Sequence, residues 1–522
     1  MQESIWQKFL KITSSAVALA VFTLIAYAEV FYFVSCSFFE VNRLLYNYSV
    51  LSIALLTLLA GLTLYFGVSL FFALYHKEVK RCGVLTFVLE LLALAVGAVL
   101  PVISYYARTV ENAVFLTTLP YFLAGLAAAF FLFLIPLAKR KWYLAFIALA
   151  LTVGAVCGFS AVSANGQKIS FDADPVVFDN GEDFSIVWST DYNSVGYLQY
   201  SYGGQSYVVY DEEDGRYRAD SRVHTVRVPY EHLYGNTYTV SSAKVLRNAS
   251  RDCKLGKFIT SKGYKFADKV TGDELTMLSL TDWHEKVDRT YTLAEMRPDY
   301  DLLLVMGDEI NYVNEFEDII NYVVIPSGKL TAGVKPALFV RGNHEIRGKY
   351  SDKLKAVLGM DNYFFTATYG EVNFLVLDGG DTKPDDDVEH GIVNTCEVYR
   401  EEQLAAMEAL PVITTGYNVC LCHIPLFSRE ILDSEPKSPK ADEQSARFAA
   451  LLTRHEVKLE ISGHEHYLDY MEGDAYDILV AGGPTKTDGY VACVITVKAG
   501  VATIEAYNAE GTVATYGPIA LR

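Results

Sequence analysis

"RGNHE" at residues 341–345 sets an Asn, a His and a Glu side by side behind a Gly, directly after the apolar run "PALFV" (336–340). Alone it is a weak signal, because loops favour Gly and Asn in any case. The setting repeats along the chain: "TMLSL" ends in "TDWH", "DLLLVM" in "GDEIN", "NVCLC" in "HIP" and "VKLEI" in "SGHEH". Five strand-like runs thus deliver Asp, His or Asn at or just past their C-terminal ends, the edge at which α/β sheets bind ligands. Between them "EFEDIINYVV", "REEQLAAMEAL" and "SARFAALLTRHE" carry helical periodicity. The tail from "YVACVITVKAG" onward reads as closing β-strands. Together these runs predict an α/β domain over 273–515.

Upstream the pattern changes. From about Lys168 to Thr260, short alternating strands are separated by turn residues roughly every ten positions, as in "DPVVFDNGEDFSIVWSTD" and "QSYVVYDEEDGRYRA". That predicts a β-sandwich of about a hundred residues over 168–262. Before it, the first 163 residues are dominated by Leu, Ala, Val, Phe and Tyr. Five runs there, near Ser15–Ser37, Ser49–Tyr75, Val84–Tyr106, Ala113–Ala138 and Trp142–Val162, each reach the roughly 20 residues that span a bilayer.

Loop charges orient these runs. Lys8, Lys11, Lys77, Lys80, Arg81, Lys139, Arg140 and Lys141 fall on one side, Arg43 and Arg108 on the other. The rule that cations stay inside puts the N-terminus in the cytoplasm. Five spans then put everything after about residue 163 outside. The expected location is the cell membrane, multi-pass, with the lipid bilayer as a partner. Glu29 and Glu90 lie within the runs; Glu90 reads as tolerated near a helix end, and Glu29 divides evenly between a packing or proton-relay role and a shifted span.

Charge narrows the function classes. Residues 1–163 hold ten Lys+Arg and six Asp+Glu, which leaves 34 and 56 of the chain's 44 and 62 for the remainder, a formal −22. An acidic surface of that size argues against nucleic acid, which needs a basic face. It suits tight cation binding at a carboxylate-lined site. The cysteines make no framework: Cys420 and Cys422 are spaced C-x-C on a buried strand-like run and read as small core residues.

The ordered series is Asp282-x-His284, Gly307-Asp308, Gly342-Asn343-His344-Glu345, His423 and Gly463-His464-x-His466. It resembles the calcineurin-like metallophosphoesterase superfamily over roughly 273–515. Each motif is weak; all five in order, each after a strand, are strong, and they take five of the chain's ten His. The resemblance implies two divalent ions of the Mn, Fe, Zn or Co kind, which need a bridging carboxylate and a mixed nitrogen and oxygen shell. Carried onto this chain, Asp308 is the bridge; Asp282, His284 and His466 complete one shell, and Asn343, His423 and His464 the other. His344 would act on the leaving oxygen, with Glu345 holding its ring. Arg347 and His390 are candidate substrate contacts, the latter within a segment, 379–399, expected to lie over the site.

The preceding β-rich stretch resembles the fibronectin-III-like domain of purple acid phosphatases, where a Trp-x-Thr like Trp188–Thr190 recurs. Those enzymes carry Gly and Tyr where this chain has His284 and Asn311, so no tyrosinate ligand is expected, and Tyr312 is expected to pack. The fold class expected is therefore multi-domain: an all-α transmembrane bundle, a fibronectin-III-like β-sandwich, then an α/β metallophosphoesterase fold of two packed sheets flanked by helices. The function expected is hydrolysis of a phosphate ester, mono- or diester, by a membrane-anchored enzyme. The alternatives are a hydrolase of lipid-linked phosphates and a receptor for a phosphorylated ligand.

Overall fold

The computed structural model describes residues 168–249, 252–381, 383–388, 391–425, 439–483 and 489–522. Ile169–Val245 with Lys257–Arg522 form one compact unit. Of the other, Met1–Lys168 with Leu246–Gly256, the described residues include only Lys168 and parts of the second stretch.

The described architecture corrects the expected fold class. Among the described residues no helix is long and apolar enough to cross a membrane. The helix Pro439–Arg454 has 16 residues, or about 24 Å at ~1.5 Å per residue, short of the ~30 Å hydrocarbon layer. The five apolar runs, with Glu29 and Glu90, lie outside the described residues. What is seen is an α/β fold, with no all-α bundle among the described residues.

Two sheets carry the fold. The larger runs, strand by strand, Tyr264–Lys265, Thr237–Ala249, Phe184–Tyr202, Val176–Asp179, Pro336–Phe339, Leu302–Val305, Glu274–Leu280, Ala492–Lys498, Val501–Asn508, Gly511–Ala520. Its centre is parallel: Glu274–Leu280 pairs with Leu302–Val305, that strand with Pro336–Phe339, and that one with Val176–Asp179. The smaller sheet has Val372–Leu377, Tyr417–Cys422, Leu459–Ser462 and Asp477–Val480 in parallel.

Parallel strands covered on both faces need apolar residues at every position, and these runs have them. Alternation decides which core each residue joins. Met277, Leu302 and Leu304 meet Phe374, Val419 and Ile461 between the two sheets. Leu278, Leu303 and Val305 face the helical side with Ile319, Ile320 and Val323. Behind the smaller sheet, Leu404 and Met407 of the helix Cys396–Ala409 and Leu451 and Leu452 of Pro439–Arg454 cover Cys420 and Cys422. Each such side chain contributes about 1.5–3 kcal/mol by leaving water.

The strands of 168–262 join the larger sheet through Val176–Asp179. Phe184–Tyr202 runs for 19 residues and breaks register between Ser189 and Ser194. Its first part pairs with Ser221–Val228 and its second with Thr237–Ala249. Phe184, Ile186, Trp188, Leu198, Val226 and Val240 share one core. Val176–Asp179 then pairs with Pro336–Phe339, so this wing is continuous with the sheet that carries "RGNHE".

Candidate metal centre

Five strands end at a common edge. Leu280 leads into Asp282, Val305 into Asp308, Phe339 into Asn343, Cys422 into His423 and Ser462 into His464. The loops are tight enough that Asp282 (φ 54°), His284 (43°), Asp308 (57°), His464 (71°) and His466 (55°) all sit in the left-handed region. Non-glycine residues there cost on the order of 1–3 kcal/mol each and cluster at functional sites. Gly342 is required by close approach. A Cβ on it would strike the Asp308 carboxylate and backbone and fall 2.7 Å from Glu345 Oε2.

The side chains converge as two groups that share Asp308. One is Asp282, His284, Asp308 and His466; the other is Asp308, His423 and His464, and within each the ligand atoms lie within 4.8 Å of one another. In the first, His284 Nε2 and His466 Nε2 are 3.0 Å apart, and His466 Nε2 is 3.2 Å from Asp282 Oδ1. In the second, His423 Nε2 is 3.2 Å from Asp308 Oδ2. Asn343 joins it, with Oδ1 2.9 Å from His464 Nδ1.

Three observations show that these residues fit a pair of cations. His423 donates Nδ1–H to the Met306 carbonyl at 2.6 Å, which turns Nε2 toward the carboxylates, yet that buried atom has no hydrogen-bond partner. The Asn343 amide oxygen lies 2.9 Å from His464 Nδ1, so it joins the second group as an oxygen donor. The donors are imidazole, carboxylate and amide oxygen, the set that borderline divalent metals take. Without a cation the His423 ring holds a proton in its place: burial pulls the imidazole down, but Asp308 and Asp282 outweigh it and hold it up at about 10. Burial alone would raise the Asp308 carboxyl; His423 beside it keeps it well below the usual carboxylate range. Burial and the neighbouring His423 push His464 down to about 4, leaving it the neutral ring a metal requires.

Hydrogen bonds behind the cluster aim it. His284 Nδ1 meets Asn311 Oδ1 at 3.0 Å, which frees Nε2 for the site. Thr281 Oγ1 donates to Asp282 Oδ2 at 2.6 Å, and the His464 N–H reaches both Asp282 oxygens at 3.2 and 3.1 Å. The His344 N–H donates to Asp308 Oδ1 at 2.9 Å.

His344 lies at the rim, its ring edge-on to His284 with centroids 4.8 Å apart. Its holder is not Glu345. His344 Nδ1 is 2.8 Å from the Asn311 carbonyl oxygen. Glu345 instead accepts the N–H groups of Asp308 at 2.9 Å, Gly342 at 3.0 Å and Ile310 at 3.0 Å. It is a buried brace between the two loops, because a carboxylate has the lone pairs to serve several donors that the turns leave unpaired. Burial and the Asp308 charge push its carboxyl up to about 7, against those backbone bonds.

Arg347 is in the site, with Nη1 3.1 Å from His344 Nε2 and its fork on Asp381. Tyr312 is 44% exposed, its ring 5.9 Å from that of His344. His390 lies outside the described residues. Sequence reasoning marks Asn311 only as a departure, although its place three residues after Asp308 is a usable signal. It misses Asp381, which the fold brings in from beyond Val372–Leu377, and Glu309, a fully buried carboxyl that burial and Glu345 push well above its ordinary value.

Residues 275–468 match the family described as calcineurin-like phosphoesterase. No curated protein matches the chain. Among solved structures it is similar to the purple acid phosphatase PPD1 of yellow lupin (Lupinus luteus) seeds, at 13% identity over 67% of this chain and 74% of that one, with a TM-score of 0.46. It is similar also to GAP50, the anchor in the inner membrane complex of Plasmodium, at 14% identity over 48% and 90%, TM-score 0.36. A third is the phosphopantetheinyl hydrolase PptH of Mycobacterium tuberculosis, at 19% identity over 41% and 92%, TM-score 0.29.

Proposed function

We propose that this chain, a metal-dependent phosphoesterase, hydrolyses phosphate esters at the edge where Asp282, Asp308, Asn343, His423 and His464 converge. The observation that carries the reading is Asp308, shared by two ligand groups whose remaining members come from three other loops. Asp282, His284, Asp308 and His466 would hold one cation; Asp308, Asn343, His423 and His464 the other. Two divalent ions so held would polarise the phosphoryl oxygens and make a water nucleophilic near neutral pH.

The chain's own residues handle the leaving group. His344 keeps Nδ1–H on the Asn311 carbonyl, so the atom that exchanges a proton is Nε2. Water attacks phosphorus, the bond to the leaving oxygen breaks, and that oxygen takes the Nε2 proton. The ring then remains anchored in its neutral form, because the Nδ1 bond survives the transfer. The loops of the first turn after each strand supply rigid positions, which is what such a step needs.

Purified full-length protein loaded with Mn, Fe, Zn or Co is expected to hydrolyse an aryl phosphate and to stop on chelation. Asp308→Asn should lower metal content in both groups along with turnover. A protein that binds the ester without cleaving it under any metal would instead be the receptor of the competing reading.

The apolar sequence before residue 164 and its uneven loop cations support a membrane-attached enzyme working outside the cytoplasm. Protease added to intact cells should then remove the catalytic part while the Lys77–Arg81 segment stays protected. Protection of the catalytic part would reverse that placement.

A further inference from the structure

The surroundings of Arg347 hold an arrangement that metal binding alone leaves incomplete. Its Nε and Nη2 reach the same Asp381 oxygen at 3.4 and 3.2 Å, and the two side chains are only 10% and 2% exposed. Asp381 is itself fixed: its carbonyl accepts Arg400 Nη1 at 3.1 Å, and its Oδ1 accepts the Lys383 N–H at 3.2 Å. Arg347 therefore cannot swing out as a surface arginine does. Its Nη1 points at His344 Nε2, on a side chain 22% exposed at the rim.

Asn343 supplies the second part. In one orientation its amide oxygen accepts from Arg347 Nη2 at 2.7 Å and its nitrogen donates to His464 Nδ1 at 2.9 Å and Asp308 Oδ2 at 3.3 Å. As a metal ligand it must take the other, with the oxygen toward His464 and Asp308. The amide N–H groups then meet the Arg347 guanidinium, and two donors face each other with no acceptor. Buried donors do not stay unpaired without cost, and a guanidinium fork matches phosphate geometry.

We infer that Arg347, set in place by Asp381, forms with the Asn343 amide N–H a subsite for a terminal phosphoryl oxygen beside His344, and that this subsite favours phosphomonoesters over diesters. The inference rests on the phosphoesterase reading. A monoester near neutral pH carries up to about two negative charges on three terminal oxygens, whereas a diester carries one charge on two. A fixed guanidinium beside the site gains more from the first, and the third oxygen is the one a diester lacks. Arg347 contacts the substrate; Asp381 is a positioning residue.

Titrating inorganic phosphate into the metal-loaded full chain by calorimetry reads the subsite without turnover. Arg347→Gln is expected to weaken phosphate about 10–100-fold, the range of a charged hydrogen bond, with metal stoichiometry unchanged by elemental analysis. Asp381→Asn should weaken it less and raise KM more than it lowers kcat. For an aryl phosphate against its methyl aryl diester, Arg347→Gln should cost the monoester more. Unchanged phosphate affinity with both metals present, or equal losses for the two esters, would overturn the inference. If Arg347→Gln loses metal or fold, Arg347→Lys decides, because it keeps the charge and removes the fork: weaker phosphate binding supports the subsite and unchanged binding refutes it. Arg347-dependent phosphate binding by a wild-type protein that cleaves neither ester would refute the hydrolase and leave the subsite standing.

Discussion

His344 Nδ1 lies 2.8 Å from the backbone carbonyl of Asn311, while the Asn311 side chain holds His284 Nδ1 at 3.0 Å. One residue thus holds both rings, His284 through its amide and His344 through its main chain. Substitution can separate the two, because only the side chain is removed.

Asn311→Ala is expected to keep the His344 contact and to release the His284 ring. Loss of such a partner behind a ligand typically costs 10–100-fold in metal affinity, which excess metal should partly repair. His344→Ala should retain both metals yet lose about 10²–10⁴-fold in turnover, beyond repair by metal. The His344 loss should shrink as the leaving phenol becomes more acidic, and the Asn311 loss should not. Rates across aryl phosphates of graded leaving-group pKa, with metal counted in each variant, check both.

Glu345→Gln tests the brace. An amide in place of the carboxylate sets its NH2 against one of the backbone N–H groups of Asp308, Gly342 or Ile310. The expected cost is about 3 kcal/mol, from a lost charged bond and a buried unpaired donor, read as an earlier denaturant midpoint. Turnover of the remaining folded protein should show no leaving-group dependence beyond that of wild type. A loss patterned like that of His344→Ala would return Glu345 to the chemistry.

Removing metal should make stability depend on pH through His423. Against the pull of burial, the Asp308 and Asp282 carboxylates hold its folded-state value up at about 10, above an unfolded value of about 6.5. A raised value means the folded state binds the proton more tightly. The contribution is therefore complete below about 6.5 and is lost as pH rises through about 10. Chelator-treated protein should unfold more readily at pH 10 than at pH 7, and His423→Gln should flatten that slope. Metal-loaded protein should lack the slope, because the cation takes the place of the proton.

The order of chemistry along the chain is legible in the residues themselves. Strand-like runs ending in Asp282, Asp308, Asn343, His423 and His464 follow from local residue pattern, because a buried parallel strand must be apolar throughout and its loop must turn within a few residues. The wing over 168–262 is legible as strands. Whether those strands close on themselves or extend a neighbouring sheet depends on the pairing of Val177 with Pro336, residues far apart in sequence whose register no local period encodes. In the same way, Glu345 reads as a partner for its neighbour His344, and the folded loops give its lone pairs to three backbone N–H groups instead. Asp381 carries no signal of its own, since one acidic residue among several in a loop is ordinary. It becomes part of the site only because the two sheets stack and bring the loop after Leu377 to Arg347. Residue type and spacing determined which side chains could hold metal; tertiary packing alone decided which of them hold one another.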